Sequence, residues 1–451
     1  MDRCSWTASK NSERPYQSCY TIIHLVGQAD HIAWTRRAED ELPHKKDREI
    51  LAAAIERADE AYNNIHPTPS LLSSTPKDIL DDLGLAIDRC EVYKAVAGNI
   101  LFNGSSAPII TSSLLAPRVF DRRTHWDGTK WVKNLPFAAD WLIQLLTTQK
   151  AEAYLRIAIW GFSVKEEVKI SDEMRVLPFS ALPDTFNKSR ILDRAKDHVG
   201  QYLWLSPTHY GVPGAAFELT IPDVSFISKY GDCFGQVYNR QMIAKEFWSF
   251  IQAATTGHPL ALCTWVDYRN RELEFSEWEK WPEWILPEIM PRIKAAVPVD
   301  AQRIKQDWEA YSKLPGDTRS SLARSIDRFV LCKCRHQFVD RVLDLALAFE
   351  IAVGGGRGDN APASWKVAVR SSQMIGGALS VRQALRGKLN HMYSLRSRAT
   401  HGGSMNSEDL ADLEATVNEC SQIYVALIQS FLALGAKPDW QKFELEPRTD
   451  H

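Results

Sequence analysis

The chain of 451 residues has no window of 18 uninterrupted apolar residues, and without one no helix spans a bilayer. Its eight cysteines are scattered, and no pair has the spacing of zinc ligands. Cys332 and Cys334 stand two apart on an expected helix and so point to nearly opposite sides. Both read as small packing or surface residues, and thiols used this way suit a reducing cytoplasm. The opening residues Met1-Asp2-Arg3-Cys4-Ser5-Trp6 lack the apolar centre of a secretory leader. The glycine-rich loop at 354–360 lacks the Lys-Ser/Thr that a nucleotide-phosphate cradle requires. There is no internal repeat, no low-complexity tract and no carboxylate cluster at divalent-metal spacing. These absences lead us to expect no membrane span, no metal and no cofactor.

What is present is an ordinary globular composition with charge unevenly placed. Apolar residues make up 45% and charged residues 24%, and the net charge is −2. Residues 319–403 nevertheless hold 14 Lys and Arg against 5 Asp and Glu. A basic segment on a mildly acidic chain suggests a local polyanion site rather than a protein that coats nucleic acid. Ordinary helix surface would account for the same cations.

At this length the chain predicts several domains. Residues 1–97 read as a helical N-terminal region. Ile50, Leu51, Ala54 and Ile55 form an apolar stripe on a helix at 46–65. A second helix is expected after Ser74-Thr75-Pro76, with Thr75 as cap, continuing toward Tyr93. Residues 98–316 read as a mixed α/β region, rich in tryptophan, with a sensor or regulatory role. Residues 153–160 alternate with a period of two, as do stretches around Val168, Phe217 and Leu260, with helices at 137–146 and 244–254 between them. No regular strand-helix alternation occurs, so antiparallel pairing is expected. This region carries 11 of the 15 tryptophans. Trp278, Trp281 and Trp284 lie among glutamates that would repel phosphates, so core or protein-contact roles suit them better than base stacking.

Asp300 is expected to cap a helix through Trp308 and Tyr311, and Leu314-Pro315-Gly316 marks a boundary. Residues 317–436 then read as an all-α helical bundle, followed by a tail at 437–451. Asp317 is a candidate N-cap, and helices follow at 338–353, 365–379, 380–400 and 407–434. In the last of these, Leu410, Leu413, Val417, Cys420, Tyr424 and Ile428 are expected to face inward.

Leu385, Leu389, Met392 and Arg396 fall on one face of the 380–400 helix, so an arginine continues an apolar stripe. His401 follows five residues later, ahead of Gly402 and Gly403. On an unbroken helix the two would sit about 140° apart and about 7.5 Å along the axis. A long guanidinium closes that gap, so both side chains can meet one phosphate. Arginine offers a permanent cation with a planar fork, and histidine can trade a proton near neutrality. A histidine in the last helical turn would be favoured as imidazolium by the dipole. That suits protonation of a leaving 5′-oxygen beside an arginine that stabilises the phosphorane. The matching reaction is attack by a ribose 2′-hydroxyl, which RNA has and DNA lacks. An Arg-x4-His pair also occurs by chance in many helices.

The stretch from Tyr393-Ser394-Leu395-Arg396-Ser397 to His401-Gly402, together with Ile326-Asp327-Arg328-Phe329 and the run from Asp340 to Glu350, resembles the Apea-like HEPN domains of the HEPN ribonuclease superfamily. The resemblance covers about 120 residues near the C-terminus. It implies an all-helical bundle and a metal-independent endoribonuclease acting in antiviral, anti-phage or toxin-type defence. Two copies would meet as a homodimer around an RNA substrate, with a phage or protein trigger sensed by the middle region. Arg396 and His401 match the catalytic positions, and Tyr393, Ser397 and Arg398 are candidate substrate-binding residues. Ser397 stands where many active members carry Asn, Asp or His. Glu350 and Asp344 could orient Arg396, while His391 and His336 read as surface or packing residues. The competing expectation is a HEPN module that binds RNA or a protein partner without turnover.

Overall fold

The computed structural model describes residues 44–65, 75–101, 115–126, 131–196, 212–228, 232–255, 259–273, 283–284, 297–335, 337–354, 361–400 and 407–444. The expectations placed on residues 1–30, Trp278, Trp281, His336, His401 and the loop beyond Gly354 lie outside these residues. The chain divides into two compact units, residues 1–95 with 111–147, and residues 96–110 with 148–451. Fourteen α-helices and a small sheet among the described residues make it a mixed α/β protein.

In chain order the first elements are α1 (Lys45–Ile65), α2 (Lys77–Arg89), α3 (Glu91–Lys94) and β1 (Ile100–Leu101), the last belonging to the second unit. The first unit continues with α4 (Ala116–Asp121), the hairpin β2 (Thr124–Trp126) and β3 (Trp131–Lys133), and α5 (Leu135–Thr147). The stripe Leu51, Ala54, Ile55 and Ala58 on α1 is buried, as its period requires. Pro76 rather than Thr75 occupies the N-cap position of α2, so no side chain caps it. The helix stops at Cys90, which is extended, instead of running on to Tyr93. Buried Asp47 on α1 accepts the backbone N–H groups of Glu91 and Val92 at 2.9 and 3.0 Å. It thereby satisfies donors that the start of α3 leaves open. Buried Asp59 binds Arg123 at 3.0 Å and Lys133, tying α1 to the hairpin.

The second unit continues with β4 (Lys150–Trp160), β5 (Phe162–Ser163), β6 (Val168–Lys169), β7 (Met174–Pro178), α6 (Phe186–Lys196), β8 (Ala215–Ser225) and β9 (Ile227–Ser228). Then come α7 (Asp232–Ala254), β10 (Leu260–Tyr268), β11 (Glu283–Trp284) and β12 (Val297–Pro298). The main sheet has the order β11-β10-β4-β8-β7-β6, antiparallel throughout. Alternation along β4 sends Leu155, Ile157 and Ile159 to one face and Arg156, Ala158 and Trp160 to the other. On the first side Phe217 of β8 stacks on Phe247 of α7 at 4.6 Å. On the second side Trp160, Ala216 and Trp265 pack with Phe179 and Leu182, which precede α6, and with Ile191 of α6.

Helix α8 (Ala301–Ser312) begins as expected, with Asp300 accepting the Gln302 N–H at 2.9 Å and the Arg303 N–H at 3.4 Å. It adds Trp308 and Tyr311 to Phe247 and Phe250 of α7. The C-terminal helical region follows: α9 (Gly316–Cys334), α10 (Phe338–Val353), α11 (Ala363–Ile375), α12 (Leu379–Thr400), α13 (Ser407–Leu434) and the short α14 (Trp440–Phe443). Phe329, Phe349 and Tyr424 meet at its centre. Burying each such ring contributes roughly 1.5–3 kcal/mol. Ser325 of α9 donates to the Ala348 carbonyl at 2.6 Å and shares a hydrogen bond with the Tyr424 hydroxyl at 2.5 Å.

Helix α7 is clasped by this layer. Arg319 forks onto Glu246 at 2.8 and 2.9 Å, and the Tyr311 hydroxyl donates to the same carboxylate at 3.2 Å. Lys333 reaches the Gln252 carbonyl at 2.5 Å, and Gln429 donates to the Ala254 carbonyl at 3.1 Å and to Asp307 at 2.8 Å.

Three expectations for the C-terminal helices change. Asp317 lies inside the first turn of α9, because Pro315 takes the N-cap position. Helix α11 ends at Ile375, where Gly376 and Gly377 adopt φ of +81° and +86°, a conformation that glycine enters without strain. Leu410 is 43% exposed, so the buried stripe of α13 begins at Leu413 instead.

Candidate functional site

Helix α12 carries the residues singled out above. Leu389, Met392, Tyr393 and Leu395 are buried against the helical layer, so the apolar period fixes which way Arg396 points. Arg396 arrives at the edge of the packed face with its side chain 41% exposed. Thr400 ends the described helix, and its hydroxyl donates to the Arg396 carbonyl at 2.8 Å, a back-bond one turn up the helix. Arg398 stands in that turn, where a cation suits the helix dipole. Ser397 and Arg398 are both exposed beside Arg396.

The structure brings together Arg396, Tyr393 and Glu350, the last of these from α10. The Tyr393 hydroxyl donates to Glu350 Oε1 at 2.8 Å. Arg396 Nη2 lies 3.8 Å from the same oxygen, close enough for charge attraction but too long for a hydrogen bond. Arg396 Nε is buried and makes no hydrogen bond among the described residues. Burial, then the adjacent Glu350 charge and hydrogen bond, push the Tyr393 hydroxyl far above its usual range, with Arg396 opposing weakly. Tyr393 is therefore a neutral donor, buried to 8% exposure, and its hydroxyl is engaged within the site.

Asp344 does not join this group. It is held by Arg328 of α9 at 3.4 Å and by Arg335, just past the end of that helix, at 3.0 Å. Six residues separate Asp344 from Glu350, about 120° around a helix, so only one of them faces α12. His391 is exposed and contacts Asp412 of α13 at 2.9 Å, in keeping with a surface role. Among the described residues no group of three or more His, Cys, Asp or Glu side chains is placed to hold a metal. Cys332 is buried and Cys334 partly buried, and burial raises both thiols, the first to about 12. A depression of about 350 Å³ lies on α8 and α13, lined by Gln306, Glu309, Ala310, Lys313, Leu432 and Gly435. It contains none of the residues around Arg396.

One charged cluster was not anticipated from sequence. On the α6 side of the sheet, Arg156 donates to Glu218 at 2.8 Å and to Asp267, and Arg175 also binds Glu218. Asp267 further accepts from Thr185 at 3.2 Å, Asn187 at 2.8 Å and Trp265 Nε1 at 2.8 Å. Two cations face two anions, and every carboxylate oxygen is engaged, so the cluster reads as a structural joint between sheet and α6. The available sequence signal was a charge interrupting the apolar run of three different strands.

No protein-family model matches the chain, and no curated protein and no solved structure is significantly similar to it. No helix among the described residues is long and apolar enough to cross a membrane.

Proposed function

We propose that the chain is a metal-independent RNA endonuclease of HEPN type, with its active centre at the C-terminal end of α12. The observation that carries this reading is the half-exposed Arg396, only loosely paired with Glu350, on a helix whose last described residue directly precedes His401. A guanidinium whose fork is not saturated can receive two phosphate oxygens. The ribose 2′-hydroxyl attacks phosphorus and loses its proton to water or to the neutral imidazole of a second copy. The P–O5′ bond breaks, and the His401 imidazolium protonates the departing 5′-oxygen. The products are a 2′,3′-cyclic phosphate and a 5′-hydroxyl. Exposed Ser397 and Arg398 are placed to meet neighbouring phosphates or ribose. In this reading the protein is a cytoplasmic homodimeric effector of antiviral or toxin-type defence, and its sheet region receives the phage or protein trigger.

The test is cleavage of single-stranded RNA by wild type and by His401→Ala. We expect cleavage that survives EDTA, and its loss in the variant with circular dichroism unchanged. Undiminished cleavage by His401→Ala refutes the assignment. RNA that wild type holds but never cuts identifies a binding module instead.

A further inference from the structure

A carboxylate beside a guanidinium ordinarily closes into a two-pronged pair with contacts of about 2.7–2.9 Å. Glu246 and Arg319 do so in this same chain, at 2.8 and 2.9 Å. Glu350 and Arg396 do not, and their approach stops at 3.8 Å. Glu246 Oε1 also accepts a tyrosine hydroxyl, that of Tyr311, but at 3.2 Å, whereas the Tyr393 hydroxyl holds Glu350 Oε1 at 2.8 Å. The phenol is buried and held neutral, so it remains a donor across the working pH range. Arg396 Nε meanwhile is buried with no hydrogen bond among the described residues. An unmet buried donor is costly, and the carboxylate oxygen nearest the guanidinium is the one that the Tyr393 hydroxyl already uses.

Resting on the assignment of Arg396 as the group that grips phosphate, we propose that Tyr393 and Glu350 are a positioning pair. They steady the guanidinium by charge without saturating its hydrogen bonds, which leaves its fork to a phosphodiester of single-stranded RNA. Neither residue touches the reacting atoms. Removing the hydroxyl frees Glu350 to close on Arg396 and compete with the phosphate. Removing the Glu350 charge as well abolishes that competition.

The experiment uses the full chain and a fluorescent 2′-O-methyl oligouridine, which carries phosphodiesters but cannot be cleaved by 2′-attack. Anisotropy at fixed salt gives its dissociation constant. We expect Tyr393→Phe to weaken binding roughly three- to tenfold, the worth of one ordinary hydrogen bond. The double variant Tyr393→Phe/Glu350→Gln should bind more tightly than Tyr393→Phe, and Arg396→Ala should lose the probe. A tyrosine that only fills the core would give the opposite order, with the double variant weaker than the single one. That order, a Tyr393→Phe that binds like wild type, or a wild type that does not hold the probe overturns the proposal. Unmodified oligouridine judges the nuclease reading separately. If it is held but not cut, that reading fails while the positioning pair stands.

Discussion

Replacing Arg156 by methionine tests how the sheet tolerates its buried charges. Arg156 is 2% exposed, and its partners Glu218 and Asp267 are each 1% exposed. The methionine fills most of the volume but supplies no charge. Glu218 keeps only Arg175, whose side chain is 35% exposed. Asp267 keeps the Thr185, Asn187 and Trp265 hydrogen bonds and loses its counter-charge. Breaking a buried pair from one side costs about 3–5 kcal/mol, because the orphaned charge remains desolvated. With a urea dependence of about 3 kcal/mol per molar, the midpoint should fall by roughly 1–1.7 M. Tryptophan fluorescence is the natural probe, since Trp265 Nε1 donates to Asp267 at 2.8 Å. Asp267→Asn in the same background removes the orphaned charge and keeps an acceptor for the remaining donors. The double variant should therefore be less destabilised than the sum of its singles by roughly 1–3 kcal/mol. A midpoint shift below about 0.3 M for Arg156→Met, with a native spectrum, would show that the charges are not buried as described, and the reasoning would fail.

Two smaller predictions concern stability elsewhere. Burial alone would raise the Asp59 carboxyl, but hydrogen bonds and charge from Lys133 and Arg123 outweigh it and hold it below its ordinary value. A group depressed in the folded state stabilises above its unfolded pKa, so the first unit should lose stability as pH falls below about 4. Asp59→Asn should flatten that part of a melting-temperature profile, and a profile identical to wild type would contradict the account. In the helical layer, Ser325→Ala leaves the fully buried Tyr424 hydroxyl without its partner. It should cost about 1–3 kcal/mol in chemical denaturation. Tyr424→Phe should cost less, since Ser325 still donates to the Ala348 carbonyl, and the reverse order would count against this packing.

The legible parts of the sequence were those whose signal is local. Helix α10 spans Phe338–Val353 as its period predicts, and the alternation around Leu155 and Ile157 marks the central strand β4. Elements whose ends depend on tertiary context were read less well. β10 continues beyond the Leu260–Cys263 alternation to Tyr268, paired with β4 along that length. The charged joint stayed hidden because Arg156 meets residues 62 and 111 positions away, and nothing in a strand names its neighbours. At the candidate site the sequence placed Arg396 on the correct helix and offered both Glu350 and Asp344 as companions. Only the packing of α9 against α10 decides between them, by giving Asp344 to Arg328 and Arg335.

The clasp on α7 has a practical corollary for anyone wishing to isolate the helical layer. An expression fragment starting at the Pro315-Gly316 turn would strip Arg319, Lys333 and Gln429 of the acceptors they use on α7 and α8. It would also bare the side of α9 and α13 that those helices cover. Such a fragment invites aggregation for reasons unrelated to its chemistry, and a silent truncation would say little about the proposed activity. A shorter protein that retains α7 and α8 keeps those acceptors in place.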